Sequence, residues 1–153
     1  MMRAEYTWKS AGYLQVKRGL DAGGAVLALI VAAPLILLVG LAILIVDGRP
    51  ILFFQKRPGL EGIEFVLIKF RTMRRAKSFG DESEMHRVTS LGASLRSLSL
   101  DELPSLWNIL RGHMSFVGPR PLLPEYVQVF SDRHARRLEV RPGLTGLAQV
   151  SGR

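Results

Sequence analysis

The sequence predicts a mostly α-helical fold with one small β-hairpin, in which a re-entrant membrane helix and interfacial helices surround a site at the membrane surface. Three observations carry that expectation. Residues 22–46 contain no charge, are bordered by Asp21 and Asp47, and hold Pro34 near their middle. Residues 51–55 and 63–70 are rich in Ile, Val and Phe and flank a turn containing Pro58, Gly59 and Gly62, the pattern of a hairpin with a long loop. Leu103, Leu106, Trp107 and Leu110 recur at i, i+3, i+4, i+7, the spacing of one helix face.

Composition narrows the class. A chain of 153 residues holds one small domain. Without cysteine it has neither a disulfide framework nor a thiolate metal site. A net charge of +8 together with 48% hydrophobic residues suits an anionic membrane and phosphorylated ligands. Nucleic-acid binders seldom combine a basic surface with a long apolar run, and no such motif is present, so no nucleic-acid partner is expected.

The chain divides into a lead-in at 1–18, a membrane segment at 19–48 and a cytoplasmic domain at 49–153. The lead-in interleaves Arg3, Lys9, Lys17 and Arg18 with Tyr6, Trp8 and Tyr13, as an interfacial anchor does. About 20 apolar residues suffice to cross a bilayer core, so the next segment is long enough for a span. Proline can kink such a helix sharply. Positive residues flank both ends, Lys17 and Arg18 before and Arg49, Lys56 and Arg57 after, so charge does not choose a one-way orientation. A helix that enters and leaves on one face, broken at Pro34, satisfies both flanks.

Beyond the hairpin, Lys69, Arg71, Arg74, Arg75 and Lys77 read first as a solvated basic face. Residues 79–87 form a polar loop whose Asp81, Glu82 and Glu84 read as exposed acids rather than a metal site. Leu91, Leu95 and Leu98 then mark a helix. Asp101 and Glu102 admit two readings. Ser99 and Glu102 match a capping box, although Pro104 moves the helix start towards Asp101. In either register the two carboxylates lie at the positive end of a helix dipole, which favours ionisation. Gly112 is placed for an αL C-cap and residues 115–117 for a short extended run. Arg120 stands between Pro119 and Pro121, on a stiffened, non-helical backbone suited to a planar oxyanion. Pro124 and Glu125 open a further helix with a basic end at 133–137, which lies on a membrane or packs on the domain. Residues 141–153 are Gly-rich and look too short for a packed element.

The strings SLDELP and MSFVGPRP, together with Lys17-Arg18 and Asp21, RPG at 57–59, KFRTM at 69–73 and RPGLTGLAQVSGR at the end, resemble the bacterial sugar transferases, the monotopic phosphoglycosyl transferases. The resemblance covers most of the chain in order. It implies transfer of a sugar 1-phosphate from a nucleotide diphosphate sugar, a UDP-sugar by expectation, to a polyprenyl phosphate at the cytoplasmic face of the bacterial inner membrane. It implies that Asp101 attacks phosphorus and that Glu102, with Asp101, holds Mg²⁺. Arg96 and Arg120 would bind phosphate, with Lys69, Arg71 and Arg141 as further candidates. Taken alone, Arg96 reads as a structural salt-bridge partner. No Gly-rich phosphate loop, Rossmann fingerprint or Walker motif is present, so arginines and a divalent ion would hold the nucleotide.

The chain departs from the family pattern in places. Ala33 precedes Pro34 where serine is usual, His113 replaces an aspartate, Leu147 a tryptophan and Ser151 an asparagine. The family's domain normally runs on past Arg153. A catalytically inactive, membrane-anchored scaffold or lipid-binding module is the alternative, and a homodimer is left open.

Overall fold

The computed structural model describes residues 11–74 and 87–151. The expectations for Arg3, Tyr6, Trp8, Lys9, Arg75, Lys77 and the acids of the 79–87 loop lie outside them. The described chain is mostly helical, with a two-stranded antiparallel hairpin and a second, parallel pair of short strands.

Helix α1, Ala11–Val46, is uninterrupted by any end at Pro34. Proline lacks an N–H, so the carbonyl four residues earlier loses its helical donor, yet helix continues on both sides. The expected break is therefore not seen as a helix end. A stripe made of Asp21, Ala25, Leu29, Ala32, Ile36, Val39 and Ile43 faces the rest of the domain. The intervals are three and four residues, so these positions share one side of the helix. The small residues of its first half pack on Phe65, Leu67, Leu106, Ile109 and Met114. Its second half packs on Phe70 and Leu95. Full burial of Ile43 alone is worth about 2 kcal/mol. The opposite side, with Leu27, Ile30, Val31, Leu37, Leu38 and Ile45, is exposed. Residues Gly12–Val46 are long and apolar enough to cross a membrane, and only 11% of their most apolar window is buried, far too little for the core helix of a soluble protein.

Both ends of α1 are tied to the same domain. At one end Arg18 donates to the carbonyls of Ile109 (2.7 Å) and Leu110 (2.5 Å). Lys17 pairs with Asp21 and donates to Ser115, while Asp21 accepts from the Phe116 N–H. At the other end Arg71 donates to the carbonyls of Asp47, Gly48 and Arg49, and Thr89 donates to the Asp47 carboxylate.

The hairpin forms as expected. Strands β1, Leu52–Pro58, and β2, Glu64–Phe70, pair from Leu52↔Phe70 to Pro58↔Glu64. Helix α2, Ser90–Ser97, is capped by Thr89, whose hydroxyl accepts from the Gly92 N–H. A 3₁₀ turn, Leu100–Ser105, then carries both carboxylates into helix α3, Leu106–Leu110. Asn108 on α3 meets β2 edge-on: its amide donates to the Val66 carbonyl and accepts from the Ile68 N–H. Ser105 donates to the Ile68 carbonyl. Buried backbone groups at that edge are thus paired. Gly112 takes φ 84°, the C-cap conformation anticipated.

Three expectations need correction. The capping box does not form: Ser99 is left-handed with no side-chain cap, and the Glu102 carboxylate turns to Lys69 instead. The last stretch is not structureless. Gly143–Thr145 forms β4, parallel to β3 at Ser115–Val117, followed by a short helix at Leu147–Val150. The two strands approach so closely at Gly118 and Gly143 that a Cβ at either would strike backbone. Glycine there serves backbone proximity, which a propensity reading mistakes for disorder. The segment after Pro121 is a 3₁₀ turn at Pro124–Val129, one helical turn at Asp132–Ala135 and another 3₁₀ turn at Arg136–Glu139, rather than one amphipathic helix.

Candidate active site

A cleft of about 980 Å³ opens between the hairpin, the 3₁₀ turn carrying the carboxylates, and the residues following Pro119. Its described lining includes seven basic side chains against two carboxylates, Asp101 and Glu102. The cause is local. The hairpin brings Arg57 and Lys69 to one wall, α2 brings Arg96, and the Pro119–Pro121 backbone holds Arg120 on the other.

Glu102 is engaged. Its Oε1 takes the Lys69 ammonium at 2.5 Å and lies 3.8 Å from the Arg120 guanidinium. Asp101 is buried, and its carboxylate takes a hydrogen bond from its own backbone while standing near Lys69 and Arg96. Burial pushes its pKa above the ordinary carboxylate value, and the adjacent Glu102 charge adds to that. Lys69 and Arg96 oppose the shift without reversing it. The short 3₁₀ turn therefore does not deliver the easily ionised Asp101 expected from a helix dipole, because desolvation outweighs it. A carboxylate with a raised pKa is the more basic oxygen once ionised, as a nucleophile requires.

The other sequence candidates separate into two groups. Lys69, Arg96 and Arg120 line the cleft, with Arg96 oriented by its Nε donating to Thr72 at 2.8 Å. Arg71 lines it too, yet its guanidinium is spent on the three carbonyls at the end of α1. Arg141 is not among the cleft residues; its Nε donates to the Gly112 carbonyl at 2.8 Å, close to Arg18. Helix-end carbonyls are an ordinary place for a cation, and sequence position alone could not tell that role from ligand binding.

Arg57 was missed as a site residue. It donates to the Pro121 carbonyl and to Gln55, and its Nε is buried without a partner among the described residues. Burial and then the Arg120 charge lower its pKa, although a guanidinium stays cationic in proteins. Two guanidiniums held close with too little negative charge between them form a place for a phosphate. The signal was available in the RPG string but could not be weighed before the partner was known.

No group of three or more metal-ligating side chains occurs among the described residues. Mg²⁺ is commonly bound by one or two carboxylates plus substrate phosphates and water. Asp101 and Glu102 on one cleft wall fit that donor set.

The cleft is suited to an anion with an apolar attachment, beside a helix with a lipid-like exposed face. The chain belongs to the bacterial sugar transferase family, whose model matches residues 12–153. It is 44% identical over 141 residues to the uncharacterized sugar transferase EpsL of Bacillus subtilis, covering 90% of this chain and 69% of that protein. It is 46% identical over 143 residues to the UDP-glucose:undecaprenyl-phosphate glucose-1-phosphate transferase of Caulobacter vibrioides, covering 89% and 54%. It is 37% identical over 146 residues to the UDP-N-acetylgalactosamine-undecaprenyl-phosphate N-acetylgalactosaminephosphotransferase of Aeromonas hydrophila, covering 90% and 34%. The chain thus spans about half, or less, of two of these relatives. His113, where the family pattern has an acid, stacks its ring near Phe65 at 5.8 Å between centroids.

Proposed function

We propose that this chain transfers a sugar 1-phosphate from a UDP-sugar to a polyprenyl phosphate, as the first step in building a lipid-linked glycan. The observation that carries the reading is Asp101: buried and set in a basic cleft beside Glu102. Two named relatives use undecaprenyl phosphate with different sugars, so the sugar itself is left open.

In this reading Asp101 attacks the phosphorus that bears the sugar. The bridging phosphoanhydride bond breaks, and nucleoside monophosphate leaves with the electron pair. An oxygen of the polyprenyl phosphate then attacks the same phosphorus, the acyl–phosphate bond breaks, and Asp101 returns as carboxylate. Arg120 and Arg57 hold the spectator oxygens, and Arg96 and Lys69 balance charge around the nucleophile. Glu102 and Asp101 would hold Mg²⁺, which when bound neutralises phosphate charge in the donor.

The same reading places α1 in one leaflet, with both flanks on the cytoplasmic face and a bend at Pro34. Support comes from its attachments, since Arg18 at one end and Asp47 at the other bond to one domain. At 1.5 Å per residue the 36-residue helix is about 54 Å long, well beyond an apolar bilayer core of about 30 Å. Cysteines introduced in the two flanks should label from the same side of sealed vesicles, and labelling from opposite sides would mean a span.

The covalent step is tested by intact mass. Mixing the protein with UDP-sugar, Mg²⁺ and no acceptor should add one sugar phosphate, which polyprenyl phosphate removes. Asp101→Asn or a chelator should abolish the adduct. Release of UMP only when both substrates are present, with no adduct, would replace this route by direct transfer.

A further inference from the structure

The cleft combines basic and apolar lining. Arg57, Lys69, Glu102 and Arg120 also line a smaller, adjoining cavity. Phe53 and Phe54 from β1 and Leu122, Leu123 and Tyr126, none of which lines the smaller cavity, share the rest of the cleft lining with Gln55, Thr72 and four arginines. Phe53, Phe54 and Tyr126 are about half exposed, at 46%, 58% and 52%. Three large rings at the mouth of a basic cleft are unusual unless something apolar covers them.

The position of the mouth says what that is. The exposed face of α1 ends at Ile45 and Val46, and Pro50 already lines the cleft four residues later. Arg71 locks this junction by bonding three successive carbonyls between Asp47 and Arg49. Phe53 is then paired across the hairpin with Lys69, whose ammonium reaches Glu102. The apolar face of α1 therefore ends beside the cleft that holds the carboxylates.

We propose that the isoprenoid chain of the acceptor leaves the bilayer at the end of α1 and lies between Phe53–Phe54 and Leu122–Tyr126, so that this wall selects a long-chain acceptor. The proposal rests on the transferase reading above.

Two measurements test it. Wild-type protein is assayed with short- and long-chain polyprenyl phosphates, alongside Phe54→Ser, Leu123→Ser and Phe54→Leu. The serine variants should raise KM for the long-chain acceptor about tenfold, as lost apolar contacts do, and remove most of the preference for long chains. Phe54→Leu should retain it. A serine variant that raises KM for the UDP-sugar and not for the acceptor would put the nucleobase against this wall and overturn the proposal. In the second measurement a polyprenyl phosphate with a photoreactive group near its phosphate end is irradiated with wild-type protein in phospholipid vesicles. Label within residues 52–54 and 122–126 is expected, and label confined to α1 would overturn the proposal. Absence of turnover by wild type with every acceptor would count against the transferase reading instead, and the labelling would still report where the chain lies.

Discussion

Two regions of this protein use the same residue types to opposite ends. At the start of α1, Lys17, Arg18, Asp21 and Arg141 converge on the segment from Ile109 to Phe116. Arg18 and Arg141 donate to main-chain carbonyls, and Asp21 pairs with Lys17 while accepting the Phe116 N–H. In the cleft, the Asp101 carboxylate is desolvated, the Arg57 Nε has no partner among the described residues, and Arg120 reaches Glu102 only at 3.8 Å. Satisfied polar groups stabilise an architecture, whereas buried groups left short of partners cost stability and are kept where a ligand completes them. Basic residues in a sequence cannot be sorted into these kinds by type; their partners sort them.

The largest expected effect that probes the contrast is Arg120→Lys. Loss of charge-assisted hydrogen bonds worth about 1.5–3 kcal/mol should slow transfer roughly 10- to 100-fold, with little change in thermal unfolding. Unchanged turnover would move Arg120 to the architectural side. Asp21→Ala should behave in the reverse way. It removes the counter-charge of Lys17 and the acceptor of the Phe116 N–H, and should cost roughly 2 kcal/mol of stability by denaturant unfolding in detergent. Turnover per folded molecule should be preserved, and a selective loss of turnover would erase the distinction between the regions.

Lys69→Met gives the smallest effect and the finest test. Lys69 is the foremost influence lowering the pKa of Asp101, so its removal should raise that pKa further. The acid limb of the rate profile, where ionised Asp101 is gained as pH rises, should then move to higher pH. The stability linkage has the opposite sense. Because folding raises the Asp101 pKa, its contribution is fully present below the unfolded value and is lost as pH rises through the folded one. Asp101→Asn should remove that component from the pH dependence of thermal unfolding. A limb that stays in place in Lys69→Met would show that Asp101 does not set it.

The amino-acid sequence by itself determined the apolar helix, the hairpin and the Gly112 cap, because each depends on local period or on one residue's backbone freedom. It also placed Asp101, Glu102, Arg96, Lys69 and Arg120 within short strings, and those five line one cleft. Tertiary structure alone decided the rest. The backbones of Gly118 and Gly143 come into close contact only when residues 25 positions apart meet, which no local propensity encodes. Arg141 and Arg57 acquire their partners only in the fold, since one finds a helix-end carbonyl and the other the neighbouring Arg120. Asp101 is ionised less readily than its place in a helix-start motif implies, because desolvation depends on what the fold stacks above a residue and not on what stands beside it in the chain.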